Sequence, residues 1–295
     1  MSQKQGSSAS LMMLTVSMII YGTIGIFRRH IPLSSGVLAC ARGFLGSAFL
    51  LIFLKLRGRS LGFRMAKRDM ALFILSGAMI GVNWILLFEA YNYTMVATAT
   101  LCYYMQPTIV ILLSPLLLNE KLTAKKALCA AAAIVGMALV TGIFEGAAGS
   151  VSGSTGGQFK GILLGLGAAA LYAAVIILNK KSGPADAYEK TILQLFSAAA
   201  VLVPYLLLTG QLKDLHPDGR ALVLLAVVGI VHTGIAYALY FGSMDGLPGQ
   251  TIALFSYIDP VVALFLSAFL LREPVTAFGI AGAVLILGAA VVSEI

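Results

Sequence analysis

Charge is scarce in this chain: Asp, Glu, Lys and Arg together make up 11% of its 295 residues. A soluble domain carries about 25% charged residues, so too little charge is present to cover a water-facing surface. Histidine occurs three times and tryptophan once. No HExxH and no Cys/His cluster occurs, which argues against a metal centre. Cys40, Cys102 and Cys129 stand singly inside apolar segments, with no CxxC, so neither a disulfide framework nor a zinc site is indicated. No Gly-x-x-x-x-Gly-Lys-Ser/Thr loop is present, and nothing argues for ATP. No cofactor is called for. The net charge of +8 would suggest nucleic acid in a soluble protein. Here the basic residues sit in loops, where they orient a chain in a bilayer, and no nucleic-acid partner is expected.

What the chain does have is apolar sequence, at 59% of residues. Runs of about 20 such residues span a bilayer as helices. Ten candidate spans fall at roughly 10–28, 34–54, 70–91, 94–118, 124–143, 160–180, 186–209, 220–243, 249–271 and 275–294. The fourth and ninth are long and contain proline, which predicts a kink in each. The expected fold is therefore an all-α integral membrane protein. Lys and Arg number thirteen on one side and six on the other when both termini are placed in the cytoplasm, which predicts that orientation in the cytoplasmic membrane. In that count Arg28 and Arg29 belong to an outer loop.

The stretch YYMQPTIVILLSPLLLNEKLT, from Tyr103 to Thr123, returns as SYIDPVVALFLSAFLLREPVT, from Ser256 to Thr276. The two align over 21 residues with eight identities and an offset of 153, about half the chain. A Gly/Ser-rich segment at 146–159 reads as a linker. It separates a first repeat, 1–145, from a second, 160–295. The first helices of the halves also correspond, IIYGTIGIFRR (Ile19 to Arg29) against ALYAAVIILNK (Ala170 to Lys180). Five helices per half is an odd number, so the second half enters the membrane from the opposite side. The expected architecture is a 5+5 inverted-topology repeat. Such halves exchange conformations to open a midplane site alternately to each side. Two fused halves form a complete unit, which is compatible with a monomer.

The paired segments, Pro107 to Thr123 and Pro260 to Thr276, resemble the EamA domains of the drug/metabolite transporter superfamily. The resemblance covers essentially the whole chain. It implies a ten-helix secondary carrier around a central cavity, exporting amino acids, other metabolites or drugs, and not an enzyme. The chain departs from the family at Tyr21-Gly22, where such proteins often carry Trp-Gly.

Charges within spans cost roughly 2.5–3.5 kcal/mol at mid-membrane on insertion scales and tend to be functional. Arg42, Glu89 and Asp259 qualify. Asp259 precedes Pro260, and its repeat partner Gln106 precedes Pro107. Asp259 is the candidate for proton coupling or for gripping a cationic group, the alternative being a structural ion pair with Arg42. Arg42 suits a substrate carboxylate, since its planar fork matches one; a folding role is the alternative. Its repeat counterpart is Gln194. Glu89 reads either as an interface residue or as a gate. Tyr21, Tyr172, Tyr104 and Tyr257 pair across the repeat and are expected to line the cavity with Asn83 and Trp84, their rings suited to a cation. Tyr91 and Tyr93, at a helix end, read as interface-belt residues. His232 is either an interhelical hydrogen-bonding residue or a proton relay. Glu120 and Glu273 read as helix-end capping residues. The expected partners are a small-molecule substrate and the lipid bilayer. The leading expectation is an amino-acid exporter; the rival is a carrier for organic cations.

Overall fold

The computed structural model describes residues 2–59, 61–63, 65–119, 121–141, 155–212, 217–244, 247, 251–252 and 255–294. These residues form helices joined by turns, with no strand among them. The helices are α1 (Ser2–Gly22), α2 (Ile24–His30), α3 (Ser35–Leu56), α4 (Lys67–Tyr93), α5 (Val96–Tyr103), α6 (Gln106–Leu117) and α7 (Ala124–Val140). They continue with α8 (Thr155–Lys181), α9 (Ala187–Leu208), α10 (Gly219–Gly229), a π-helical segment (Ile230–Ile235), α11 (Ala236–Met244), α12 (Ile258–Phe269) and α13 (Ala277–Glu294). Among the described residues, seven helical stretches are long and apolar enough to cross a membrane, and two shorter apolar helices lie near the C-terminus. Leu116, Leu208 and Phe269 stand fully outward, apolar surface that suits lipid and not water.

The helix starts follow local chemistry. Ser34 accepts from Val37 N at the head of α3, Thr123 from Lys126 N at α7, Asp186 from Tyr188 and Glu189 N at α9, and Asp218 from Ala221 N at α10. Each side-chain oxygen satisfies an amide that the helix itself cannot. Helix α5 has no such cap of its own. Glu273, arriving from beyond α12, accepts from Val96 N at 3.0 and 2.9 Å and from Ala97 N at 3.5 Å. The same carboxylate takes Arg29 at 3.1 Å and the Ser267 hydroxyl. Glu273 is thus the capping residue its position predicts, but it caps a distant helix. Glu120 lies outside the described residues.

The expected kink in the fourth span is a break. Pro107 occupies the first turn of α6, and the chain turns at Tyr104 and Met105. The ninth span shows the same turn at Ser256 and Tyr257, with Pro260 in the first turn of α12. Gln106 and Asp259 therefore each lie in the opening turn of a half-span. Proline, lacking an N–H, is tolerated there and not in a helix interior.

Three sequence expectations change. Residues 155–159, assigned to the linker, are the opening of α8, while 146–154 lie outside the described residues. Arg28, assigned to an outer loop, lies in α2 and is buried, because its two terminal nitrogens find Ile31 O and Ser35 Oγ inside the bundle. Tyr91 is not a belt residue: it is buried with its hydroxyl 3.3 Å from Thr100 Oγ1. Tyr93 is partly exposed, with Lys160 Nζ donating to its hydroxyl at 2.8 Å.

The main core gathers around Leu38, Leu50, Trp84, Phe88, Leu195 and Ala198, where α3, α4 and α9 meet. A second cluster, including Leu101, Ala133 and Ile286, joins α5, α7 and α13. Backbones approach closely beside the site. A Cβ on Gly22 would meet Asp259 O at 2.6 Å, and one on Gly43 would meet Leu195 O at 2.9 Å. Small residues permit such crossings in membrane bundles, where apolar burial supplies no drive of its own.

Candidate functional site

Arg42 is the centre of the polar interior. It is 6% exposed, on α3. Its Nε donates to Thr233 Oγ1 at 2.8 Å, and its guanidinium lies 4.2 Å from the Trp84 ring centroid and 5.8 Å from that of Phe88. A guanidinium over an aromatic face is attracted to the ring quadrupole, more strongly where water is excluded. The acceptor is prepared by the π-helical segment. Thr233 donates its own proton to Val228 O, five residues back, at 3.1 Å. Its oxygen is thereby turned toward Arg42. π-Turns in membrane and soluble helices occur mostly at functional places.

Arg42 makes no ion pair with Asp259, so the structural-pair alternative is not what the geometry contains. Asp259 instead accepts from the Tyr104 hydroxyl at 2.8 Å. Asp259, Tyr21, Tyr103, Tyr237 and Tyr91 lie within electrostatic range of Arg42. Rings meet in sequence around this space, with centroids 5.8 Å apart for Tyr103 and Tyr172, 6.0 Å for Tyr103 and Tyr104, and 6.4 Å for Tyr104 and Tyr257. Tyr21 packs edge-on against Tyr237 at 5.6 Å, and its hydroxyl is buried without a partner.

His232, on the π-helical segment, bonds across helices. Its Nε2 is 2.7 Å from Thr23 Oγ1, and its Nδ1 is 3.5 Å from Val227 O. Thr23 gives its one hydroxyl proton to Ile20 O at 2.7 Å, so the neutral ring that fits is the one whose Nε2–H donates to Thr23 Oγ1. Phe27 covers the ring at 4.6 Å. This is the interhelical role anticipated for His232.

Two predicted residues stand apart from the Arg42–Asp259 cluster. Asn83 is fully buried, with Nδ2 donating to Ala168 O at 2.5 Å on α8 and Oδ1 unpartnered. Gln106 has a buried Oε1 with no partner. Gln194, the repeat counterpart of Arg42, donates to Ser76 Oγ at 2.7 Å and to Asn179 Oδ1 at 2.9 Å. The sequence did not single out Tyr103, Tyr237, Thr233 or Thr23 for the site. The only signal for the threonines is adjacency: Thr233 follows His232, and Thr23 follows Tyr21-Gly22.

The family model described as the EamA-like transporter family matches residues 8–142 and again 159–294. The "Uncharacterized transporter YxxF" of Bacillus subtilis (strain 168) is 32% identical over 265 residues, covering 90% of this chain and 82% of its own length. Protein PecM of Dickeya dadantii (strain 3937) is 28% identical over 228 residues, covering 76% and 73%. A solved crystal structure of a protein shares the fold, with TM-score 0.65 at 20% identity over 97% of this chain and 96% of that one.

Proposed function

The chain belongs to the EamA-like transporter family, and we propose that it is a secondary active transporter that exports a small amino-acid-like metabolite across the cytoplasmic membrane. Its ten spans form two inverted halves, 1–145 and 160–295, with both termini in the cytoplasm. Helix packing supports the repeat. Exchanging the halves maps the α4–α8 contact onto α11–α1 and the α6–α8 contact onto α12–α1. It maps α3–α9 and α7–α13 onto themselves, and every one of these pairs packs. Rocking of the halves then exposes the site to each side in turn.

The observation that carries the reading is an arginine and an aspartic acid inside the bundle that do not pair with each other. Arg42 contacts a hydroxyl and two aromatic rings, and Asp259 a phenol, with no ion pair on either among the described residues. A zwitterion fits between them, its carboxylate on Arg42, its ammonium on Asp259, its side chain among Tyr21, Tyr104, Tyr172 and Tyr257. Trp84 holds the guanidinium in place. Asn83, Gln106 and His232 support the helices that move. In the empty state Asp259 takes a proton, which couples export to the proton gradient. One observation favours a second reading: the tyrosine rings and Asp259 alone also make a receptor for an organic cation, with Arg42 left as a structural group.

The test is thermal stabilisation of purified protein by amino acids, amines and cationic drugs, since a ligand of the folded state raises the melting temperature. Stabilisation by amino acids that disappears in both Arg42→Lys and Asp259→Asn supports the exporter. Stabilisation by choline-like amines alone, lost only in Asp259→Asn, replaces it with the cation carrier.

A further inference from the structure

A second polar basin lies away from the Arg42–Asp259 centre. It has a volume of about 730 Å³ and is lined by Arg28, Ser35, Glu89, Asn92, Tyr205 and Gln211, among others. That size falls within the ~300–1,000 Å³ of ordinary small-molecule sites. It sits where α2 ends, α3 begins, α4 ends and α9 ends, at the bundle end that the orientation above places outside.

Its chemistry repeats the logic of the interior. Arg28 is 6% exposed. Its Nη1 donates to Ile31 O at 3.0 Å and its Nη2 to Ser35 Oγ at 3.1 Å, while Nε is buried with no partner. The Ser35 hydroxyl donates to Glu89 Oε2 at 2.6 Å, and Asn92 Nδ2 donates to the same oxygen at 3.2 Å. Among the described residues Glu89 therefore holds only neutral donors and Arg28 only neutral acceptors, with no ion pair on either. Arg29, on the rim, is engaged by Thr94 O and Glu273. Gln211 Oε1 is a buried acceptor without a partner among the described residues. A lost partner for a buried charged group costs more than for a neutral one; Arg28 is buried and Glu89 half-buried, so a ligand that satisfies both would find them without an ion pair among the described residues.

We propose that this basin is a second binding site for the cargo, an exit subsite that takes a small zwitterion with its carboxylate toward Arg28 and its ammonium on Glu89. The proposal rests on the reading that the cargo is amino-acid-like. A molecule released from the interior is held once more before it leaves, and the subsite sets how readily external cargo returns.

The experiment is calorimetric titration of the full chain in lipid nanodiscs. The probes are leucine, threonine and phenylalanine, each beside its N-acetyl derivative, which lacks the ammonium, and its amide, which lacks the carboxylate. Two binding events per chain are expected with an amino acid. Glu89→Gln weakens one of them about tenfold or more, as loss of a charge-assisted bond implies, and leaves the other. Asp259→Asn does the reverse. The N-acetyl derivative shows no event at the Glu89 site. Ile85→Trp, which narrows the basin without touching a charge, gives the same single loss and serves if Glu89→Gln folds poorly. A single event unchanged by Glu89→Gln and by Ile85→Trp overturns the exit subsite and leaves the interior site standing. No event with any probe in the wild type overturns both.

Discussion

Arg42 works through its shape as much as its charge. Its Nε bond to Thr233 and its stacking over Trp84 both need a planar guanidinium. Arg42→Lys keeps the charge and loses both. It is expected to weaken carboxylate-bearing ligands about tenfold or more, at about 1.4 kcal/mol per decade, with ligands lacking a carboxylate unaffected in the same titration. Asp259→Asn keeps an oxygen for the Tyr104 hydroxyl but cannot gain or lose a proton. It is expected to fold normally and to bind and exchange cargo weakly, with the residual exchange independent of pH; an unchanged pH profile would remove Asp259 from coupling. Arg42 and Asp259 were legible in the sequence because a charge in an apolar run stands out. Thr233 was not, since a hydroxyl inside a helix is commonplace, and the π-turn that aims it leaves no mark in the residue order. Tyr91 was misread because position at a helix end suggested the interface, while packing against Thr100 placed it inside.

At the scale of elements, the capping of α5 by Glu273 joins parts of the chain far apart in sequence. The carboxylate satisfies the first amides of α5 and holds Arg29 at the end of α2. Glu273→Gln keeps an acceptor and loses the charge, both against the helix dipole and against Arg29. A cost of about 1–2 kcal/mol is expected, read as a lowered melting temperature without ligand. Glu273→Ala should cost more, because the amides of Val96 and Ala97 then lose their partner. The role of Glu273 at a helix end was readable from its repeat position. Its partner was not, since nothing local to Glu273 names Val96. The breaks at Tyr104 and Tyr257 were foreshadowed by Pro107 and Pro260. The early start of α8 was hidden because Thr155, Gly156 and Gly157 read as linker by composition, although the helix begins there.

For the whole molecule, the all-helical bundle and its apolar exterior follow from how little charge the chain carries and from its hydrophobic runs. Which helices pair could be approached only through the repeat, because apolar spans with little amphipathic contrast do not announce their neighbours. Rocking requires that α2 and the segment after α12 separate in one state. Cysteines at Arg29 and Glu273, joined by a reducible bifunctional reagent, should stop transport, and reduction should restore it; undiminished transport by the cross-linked protein would mean that this contact does not open. Gly22→Val, which would drive a side chain into Asp259 O and Val262, is expected to abolish transport even in protein that reaches the membrane.

The most direct measurement is counterflow in proteoliposomes loaded with leucine, threonine or phenylalanine, comparing wild type with Arg42→Lys and Asp259→Asn. The account predicts saturable exchange of at least one of these amino acids by the wild type, weakened in both variants. Exchange that both variants leave unchanged, or its absence for every amino acid beside exchange of a choline-like amine, would contradict it.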